Sequence, residues 1–422
     1  MKIAKARFVN PDRNFGYGLV AVSISIFVFA YSLRFGQPSI LAYYALWLPL
    51  LLVDHRRALG NWSDLTWIAP FAALACLSTF WSAAPGVTAR ASVQFASHVV
   101  CAVIAARTVS VRTLTLGALL GILFVLAFSL AFGQYNYDPL DGSYSFVGAF
   151  PSKNQLGLFS SLGVYFAFAA LVILGERGVW RLLALACGGF SAVLLAKSQS
   201  ATSVITLVLV LAVQVWLRLA LLFSPQVRKV SMVVGAALAI TAAFVGLSLG
   251  GLDLLLAAFG KDSTLTGRTY LWSQGWAAAA RTPFFGVGYQ AYWVQGFSEA
   301  ERLWEEFYIG SRSGFHFHNT FIEVAVELGA SGVLLLLAVI VRAFAGHLGR
   351  VIGDAHNKAS FVLFGLVAMF AVRAFVEVDV INPYVVGSFL LFYAAGRLAA
   401  PRTVSRHGAG GIAYSSRPGH AA

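Results

Sequence analysis

Charge is scarce in this sequence, and negative charge scarcest. Only 11% of its 422 residues are charged, with 17 Asp and Glu against 30 Lys and Arg. A soluble domain of that length needs more charge on its surface and far fewer apolar residues than the 59% found here. Cysteine is nearly absent. Cys76, Cys101 and Cys187 all lie in apolar runs without paired spacing, which argues for small core residues and against a disulfide framework or a metal site. No glycine-rich phosphate loop ending in Lys-Ser/Thr occurs, and no His-Glu-x-x-His. ATP hydrolysis and zinc chemistry therefore lack a motif. There is no long internal repeat, and none of the inverted-repeat signature of many secondary transporters. The N-terminus is basic, but no small-residue cleavage site precedes the first apolar run, which reads as an uncleaved span.

What the chain has is apolar length. Mean hydropathy is +0.77, and the pattern predicts an all-α polytopic transmembrane helical bundle of about 12 spans. They fall at about 17–35, 39–53, 65–81, 92–108, 114–132, 155–175, 179–196, 202–223, 230–250, 319–345, 359–378 and 381–398. Residues 1–250 form an N-terminal membrane bundle of about nine spans. Residues 251–318 form a large external loop with short helices between spans 9 and 10, residues 319–400 the C-terminal spans, and 401–422 a disordered cytoplasmic tail rich in Gly, Ser and basic residues. With the N-terminus inside, twenty of the 30 basic residues fall on the cytoplasmic side, among them Arg56, Arg57, Arg107, Arg112, Arg350 and Lys358. The positive-inside rule thus favours both termini in the cytoplasm. It also accounts for the net charge of +13, which in a soluble chain would suggest nucleic acid.

Polar residues collect on the expected outer side. The stretch Arg312–Gly332 carries His316 and His318 where a polar loop becomes a membrane helix. Asn319, Glu323, Glu327 and Ser331 then recur every four residues, one stripe on an apolar helix. Carboxylates at such depth normally face a bundle interior or a water-filled cavity. Arg373 and Glu377 are spaced to pair across a helical turn, which would either lock two spans together or serve a site. Arg268, in Thr266-Gly-Arg-Thr-Tyr-Leu-Trp272, begins a helical pattern. It reads either as a solvated loop arginine or as a bidentate ligand for phosphate oxygens, with Lys153 and Lys197 weaker candidates. A histidine of near-neutral pKa can take a proton from a sugar hydroxyl as that oxygen attacks. The aromatic residues of the long loop, Trp272, Trp276, Trp293 and Trp304 among them, suit a membrane-interface belt or stacking on sugars.

These pieces, in this order between the spans, resemble the O-antigen ligase and polysaccharide polymerase superfamily, in particular its exopolysaccharide-polymerase branch. Trp81-Ser-Ala-Ala-Pro85 with Arg90 is similar to the family's early external loop, and Phe150-Pro-Ser-Lys-Asn-Gln-Leu-Gly157 to its Lys-Asn-x-x-Gly element. Ser198-Gln-Ser-Ala-Thr202 resembles its short polar break. Thr266–Trp272 and His318-Asn319 through Glu327-x-Gly329 resemble its two strongest motifs, and Arg373 to Glu377 with Asn382 its late motif. The resemblance implies metal-independent, inverting glycosyl transfer at the periplasmic face of a bacterial inner membrane, without a cofactor. The donor would be an oligosaccharide on undecaprenyl diphosphate and the acceptor a glycan, in contact with membrane lipids. A chain-length regulator and export proteins would be further partners, and nucleic acid none. It implies His318 as general base or acceptor-orienting residue, Arg268 on the diphosphate and Glu327 as a further catalytic residue. Arg373, Glu377, Lys153, Asn154, Lys197, Arg90, His316 and Asn319 would bind substrate. One departure is Gln199 where many ligases carry an arginine, which tilts the reading towards a polymerase over a lipid A-core ligase. Transfer to lipid A core or protein uses the same chemistry. A transporter or flippase of lipid-linked glycan would instead place its polar residues at mid-depth in broken spans. A purely structural scaffold leaves the carboxylate stripe unexplained.

Overall fold

The structure, a computed structural model, describes residues 5–138, 143–249 and 267–399. The expected tail from 401, the segment 251–266 that opens the long loop, and Asp141 lie outside the described residues. The protein is an all-α polytopic membrane protein. Seven described helices are long and apolar enough to cross a bilayer: Phe15–Trp47, Pro85–Thr108, Val111–Ala131, Lys153–Leu174, Gly178–Ser198, Ala201–Ala220 and Thr320–Gly353. Ala69–Phe80 and Val386–Ala399 are shorter apolar helices. A helix satisfies every backbone group within itself, which is what a chain in hydrocarbon must do.

Two of these elements are broken, each at a glycine with positive φ. Gly36, at φ +60°, divides Phe15–Trp47 into two arms that fold back on each other, the first two expected spans. Phe29 packs on Tyr43, and the Trp47 indole N–H donates to Ser25 Oγ at 2.9 Å. Gly329, at φ +64° and ψ −164°, interrupts Thr320–Gly353. The backbone groups orphaned there are taken up by the turn Pro283–Gly288. Val287 N–H and Gly288 N–H donate to the carbonyls of Val326 and Glu327, while Ala330 N–H and Ser331 N–H donate to those of Pro283 and Phe284. The two chains approach so closely that a Cβ on Gly329 would sit 2.3 Å from the Phe284 carbonyl carbon. This break corrects the expected polar stripe. Asn319, Glu323 and Glu327 stay on one helical segment, but Ser331 lies beyond it and bonds Phe284.

Between the spans, Gln134–Asp138 and Ser143–Gly148 pair as an antiparallel hairpin. The loop after residue 267 is a folded unit with its own core. Its helices Arg268–Ala279 and Ser298–Glu306 bury Leu271, Tyr292, Leu303 and Trp304 against Phe317, Ile322 and Val326. Tyr292 and Trp304 are thus core residues rather than sugar platforms.

Candidate active site

The described part of the long loop ends at the His316–Asn319 stretch, where a membrane helix begins. Asn319 is the N-cap of Thr320–Gly353: its Oδ1 accepts from Phe321 N–H at 3.0 Å and Ile322 N–H at 3.1 Å, and its Nδ2 donates to Phe375 O. Capping satisfies donors that the first turn leaves orphaned. His318 just before it is held at φ +53°, a conformation that a non-glycine residue adopts only under constraint. Its backbone N–H donates to His316 Nδ1 at 3.1 Å, and the two rings lie 4.2 Å apart. Nδ1 of His316 must therefore carry a lone pair. Burial, with the charge of Arg268 and the neighbouring His318 adding to it, pushes His316 down to about 3, so it is neutral at physiological pH.

Glu377 is the hub. The helix Lys358–Arg373 ends before it, so Arg373 and Glu377 do not pair across a turn as the spacing suggested. Instead Glu377 Oε1 accepts from Arg268 Nη2 at 2.9 Å and from Asn154 Nδ2 at 2.8 Å, while its Oε2 lies 3.5 Å from His318 Nδ1. Arg268 also donates to Val376 O at 2.7 Å, leaving three of a guanidinium's five N–H donors for other partners. Side-chain exposure is 7% for Glu377, 13% for Arg268 and 26% for His318. Burial alone would raise the Glu377 carboxyl, but Arg268, His318 and Arg373 outweigh it and hold the group well below the usual carboxylate range.

A second ring supports this one. Arg373, 1% exposed, donates to Asp379 Oδ2 at 2.5 Å and to Ser203 Oγ at 3.2 Å. Ser200 Oγ donates to Asn154 Oδ1 at 2.9 Å. The Ser200–Ser203 turn comes this near because residue 157 is glycine: a Cβ there would lie 2.6 Å from Ser203 Oγ. That is a physical reason for the glycine of Lys153-Asn-x-x-Gly157. Residues from four helix N-termini are thereby linked to one carboxylate. Asn154 lies in the first turn of Lys153–Phe168, Ser200 precedes Ala201–Ala220, Arg268 opens its own helix, and His318 with Asn319 precedes Thr320–Gly353.

Comparison with known proteins gives the family of the chain. A family model described as O-Antigen ligase matches residues 162–337. An exopolysaccharide production protein, ExoQ of Rhizobium meliloti (strain 1021), is 57% identical over 402 residues, 95% of this chain and 92% of its own. The chain belongs to the O-antigen ligase superfamily. Members are glycan ligases and polymerases, so the protein is a membrane enzyme of surface-glycan assembly. The superfamily match includes Ser200, Arg268, His316 and His318 but ends before Arg373, Glu377 and Asp379, which complete the cluster in space.

Other expected residues stand apart. Glu327 is buried on the short helical segment with Glu323, whose Oε2 accepts from Phe317 N–H at 2.8 Å. Glu327 forms no ion pair with Arg268 or His318, whereas Glu377 pairs with both. Lys197 is exposed in the last turn of Gly178–Ser198, and Lys153 opens the helix that carries Asn154. Arg90 lines a separate cleft. Asp379 and Ser203 were not singled out from the sequence. In a chain with so few carboxylates, an acidic residue six positions after Arg373 was the available signal. His316, His318 and Glu377 offer three ligand atoms within 4.8 Å of one another, the one potential metal cluster among the described residues. The Arg268 guanidinium on the same carboxylate opposes a cation there.

Proposed function

We propose that the protein is a periplasmic-face polymerase of the bacterial inner membrane. It transfers a growing glycan from undecaprenyl diphosphate to the next lipid-linked repeat unit. The observation that carries this reading is the Glu377 carboxylate held between Arg268 and His318. Glu377 favours a proton on His318 Nδ1, which leaves Nε2 to accept the proton of the acceptor hydroxyl. That oxygen forms a bond to C1 of the donor's reducing-end sugar as the bond from C1 to the diphosphate oxygen breaks. Attack opposite the leaving group inverts the centre. The diphosphate departs as an anion on its carrier and is met by the remaining N–H groups of Arg268. No metal ion enters the scheme. Arg373 supports it indirectly by fixing the segment 374–385 through Asp379.

The relative's exopolysaccharide role favours a polymer product over transfer to lipid A core. Mass analysis of lipid-linked glycans in cells lacking the protein tests the proposal. Single repeat units on the outer face without polymer are expected. Long polymer still on its carrier would establish a ligase instead, and single units trapped inside would establish a flippase. In the complemented strain, His318→Ala should abolish polymer while the protein remains in the membrane. Normal polymer from that variant would remove His318 from the chemistry.

A further inference from the structure

The cleft around Arg90 has a chemistry of its own. Gln37, Leu41 and Tyr44 share one face of the second arm of Phe15–Trp47, and Arg90, Gln94 and Ser97 share one face of Pro85–Thr108. Between them lies a cavity of about 460 Å³ that Tyr384 closes on a third side. At one end Tyr44 Oη meets Ser97 Oγ at 2.5 Å and Tyr384 Oη at 2.8 Å. About 10 Å along both helices, at the other end, stand Gln37 and Arg90. No carboxylate pairs with Arg90 among the described residues, and the amides of Gln37 and Gln94 bond no described group. Leu41 and Val93 on the same faces are exposed.

This end of the cleft belongs to the same end of the bundle as the catalytic cluster. Thr88 Oγ1, half a turn before Arg90, donates to Tyr289 O at 2.8 Å, and Tyr289 Oη donates to Ile381 O at 2.5 Å. Ile381 and Tyr384 lie on the segment that also carries Glu377. An unpaired guanidinium above exposed aliphatic side chains complements a ligand with an anionic head and a hydrocarbon tail. Polymerisation needs two such ligands at once, because both donor and acceptor ride on lipid diphosphates, whereas ligation needs one. Arg268 can meet only the donor's.

We infer that the Arg90 cleft holds the second carrier, the isoprenyl diphosphate of the acceptor repeat unit, with its diphosphate on Arg90 and its chain across Leu41 and Val93. This rests on the polymerase reading above. The full-length protein in phosphatidylcholine nanodiscs, titrated with undecaprenyl diphosphate alone, tests it by native mass spectrometry. Two bound carriers are expected in the wild type. Arg90→Ala should weaken one site by about tenfold to hundredfold, and Val93→Glu should weaken the same one. Arg268→Ala should weaken the other. A single carrier in the wild type, or two at undiminished affinity in both cleft variants, would overturn the inference. So would phosphatidylglycerol binding at the Arg90 site as tightly as the diphosphate. If Arg268→Ala keeps both carriers, the donor assignment fails while the acceptor site stands.

Discussion

Replacing Glu377 by glutamine removes one charge and almost no volume. Its partner Arg268 lies 2.9 Å away and both side chains are nearly buried. With charge centres about 4 Å apart and an effective dielectric constant of about 20, the attraction lost is about 4 kcal/mol. Relief of the cost of burying the carboxylate offsets part of this, leaving about 1–3 kcal/mol net. The amide can still accept from Arg268 or Asn154, so the fold should survive with a lowered melting midpoint. The rate should fall by about tenfold to hundredfold, because the guanidinium and the imidazole lose the charge that orients both. The assay is polymerisation of a lipid-linked repeat unit by purified protein, with thermal melting alongside. Because the folded carboxyl is held low, its contribution to stability is complete above about pH 4.3. It is lost only as pH falls through the lower folded value, so the deficit of Glu377→Gln should be constant between about pH 5 and 8. A cycle with Arg268→Gln decides the matter. If one carboxylate serves both partners, the double variant loses less than the sum of the singles. Strict additivity, or a wild-type rate in Glu377→Gln, would refute the shared-carboxylate mechanism.

Three other outcomes follow from the geometry. His316 is neutral in the fold but takes up a proton near pH 6.5 when unfolded, so stability falls as pH drops from 6.5 towards about 3. His316→Gln should flatten that slope in a melting series, and an unchanged slope would assign it to other groups. Gly329→Ala forces a side chain into a conformation reserved for glycine, at a cost of about 1–3 kcal/mol before its Cβ meets Phe284. A lower melting midpoint together with lost polymer is expected, and wild-type behaviour would mean the break is pliable. Polymerisation by purified protein should persist after exhaustive chelation. Loss restored by a divalent ion would instead make His316, His318 and Glu377 a metal site.

The all-α membrane fold was legible because a bilayer demands long apolar runs, and the mean hydropathy alone excluded a soluble fold. Arg268, His318 and Asn154 were legible as polar residues at the ends of such runs. Their common partner was harder to see. Glu377 was read with Arg373, four residues back, because helical periodicity is the one rule sequence spacing offers. The helix stops at Arg373, and the carboxylate turns to residues 59, 109 and 223 positions away in the chain. Glu327 was drawn towards the site by the motif it shares with His318 and Asn319. It shares a helical face with Asn319, but three-dimensional packing puts that face against Tyr289 and Gln290 rather than the histidines. The glycine of the Glu-x-Gly329 motif does not signal a site residue. It permits the break that Pro283–Gly288 fills.

The scarcity of negative charge explains how such a site can work. Residues from four helix N-termini gather around Glu377, and to the positive ends of those helix dipoles Arg268 adds a full charge. In the resting protein the single carboxylate neutralises Arg268 and keeps it in place. On the proposed reading, an arriving diphosphate would find a field already arranged, with no helix needing to reorient. On the proposed mechanism the diphosphate takes up the N–H groups that Arg268 has left over, while Glu377 stays between Arg268 and His318. The charge that would accumulate on the leaving group and the proton that would accumulate on the histidine are thus met by the two sides of one ion pair. A glutamine at 377 can hold Arg268 by its amide oxygen but cannot stabilise a charged imidazole, which is why the rate should suffer more than the fold.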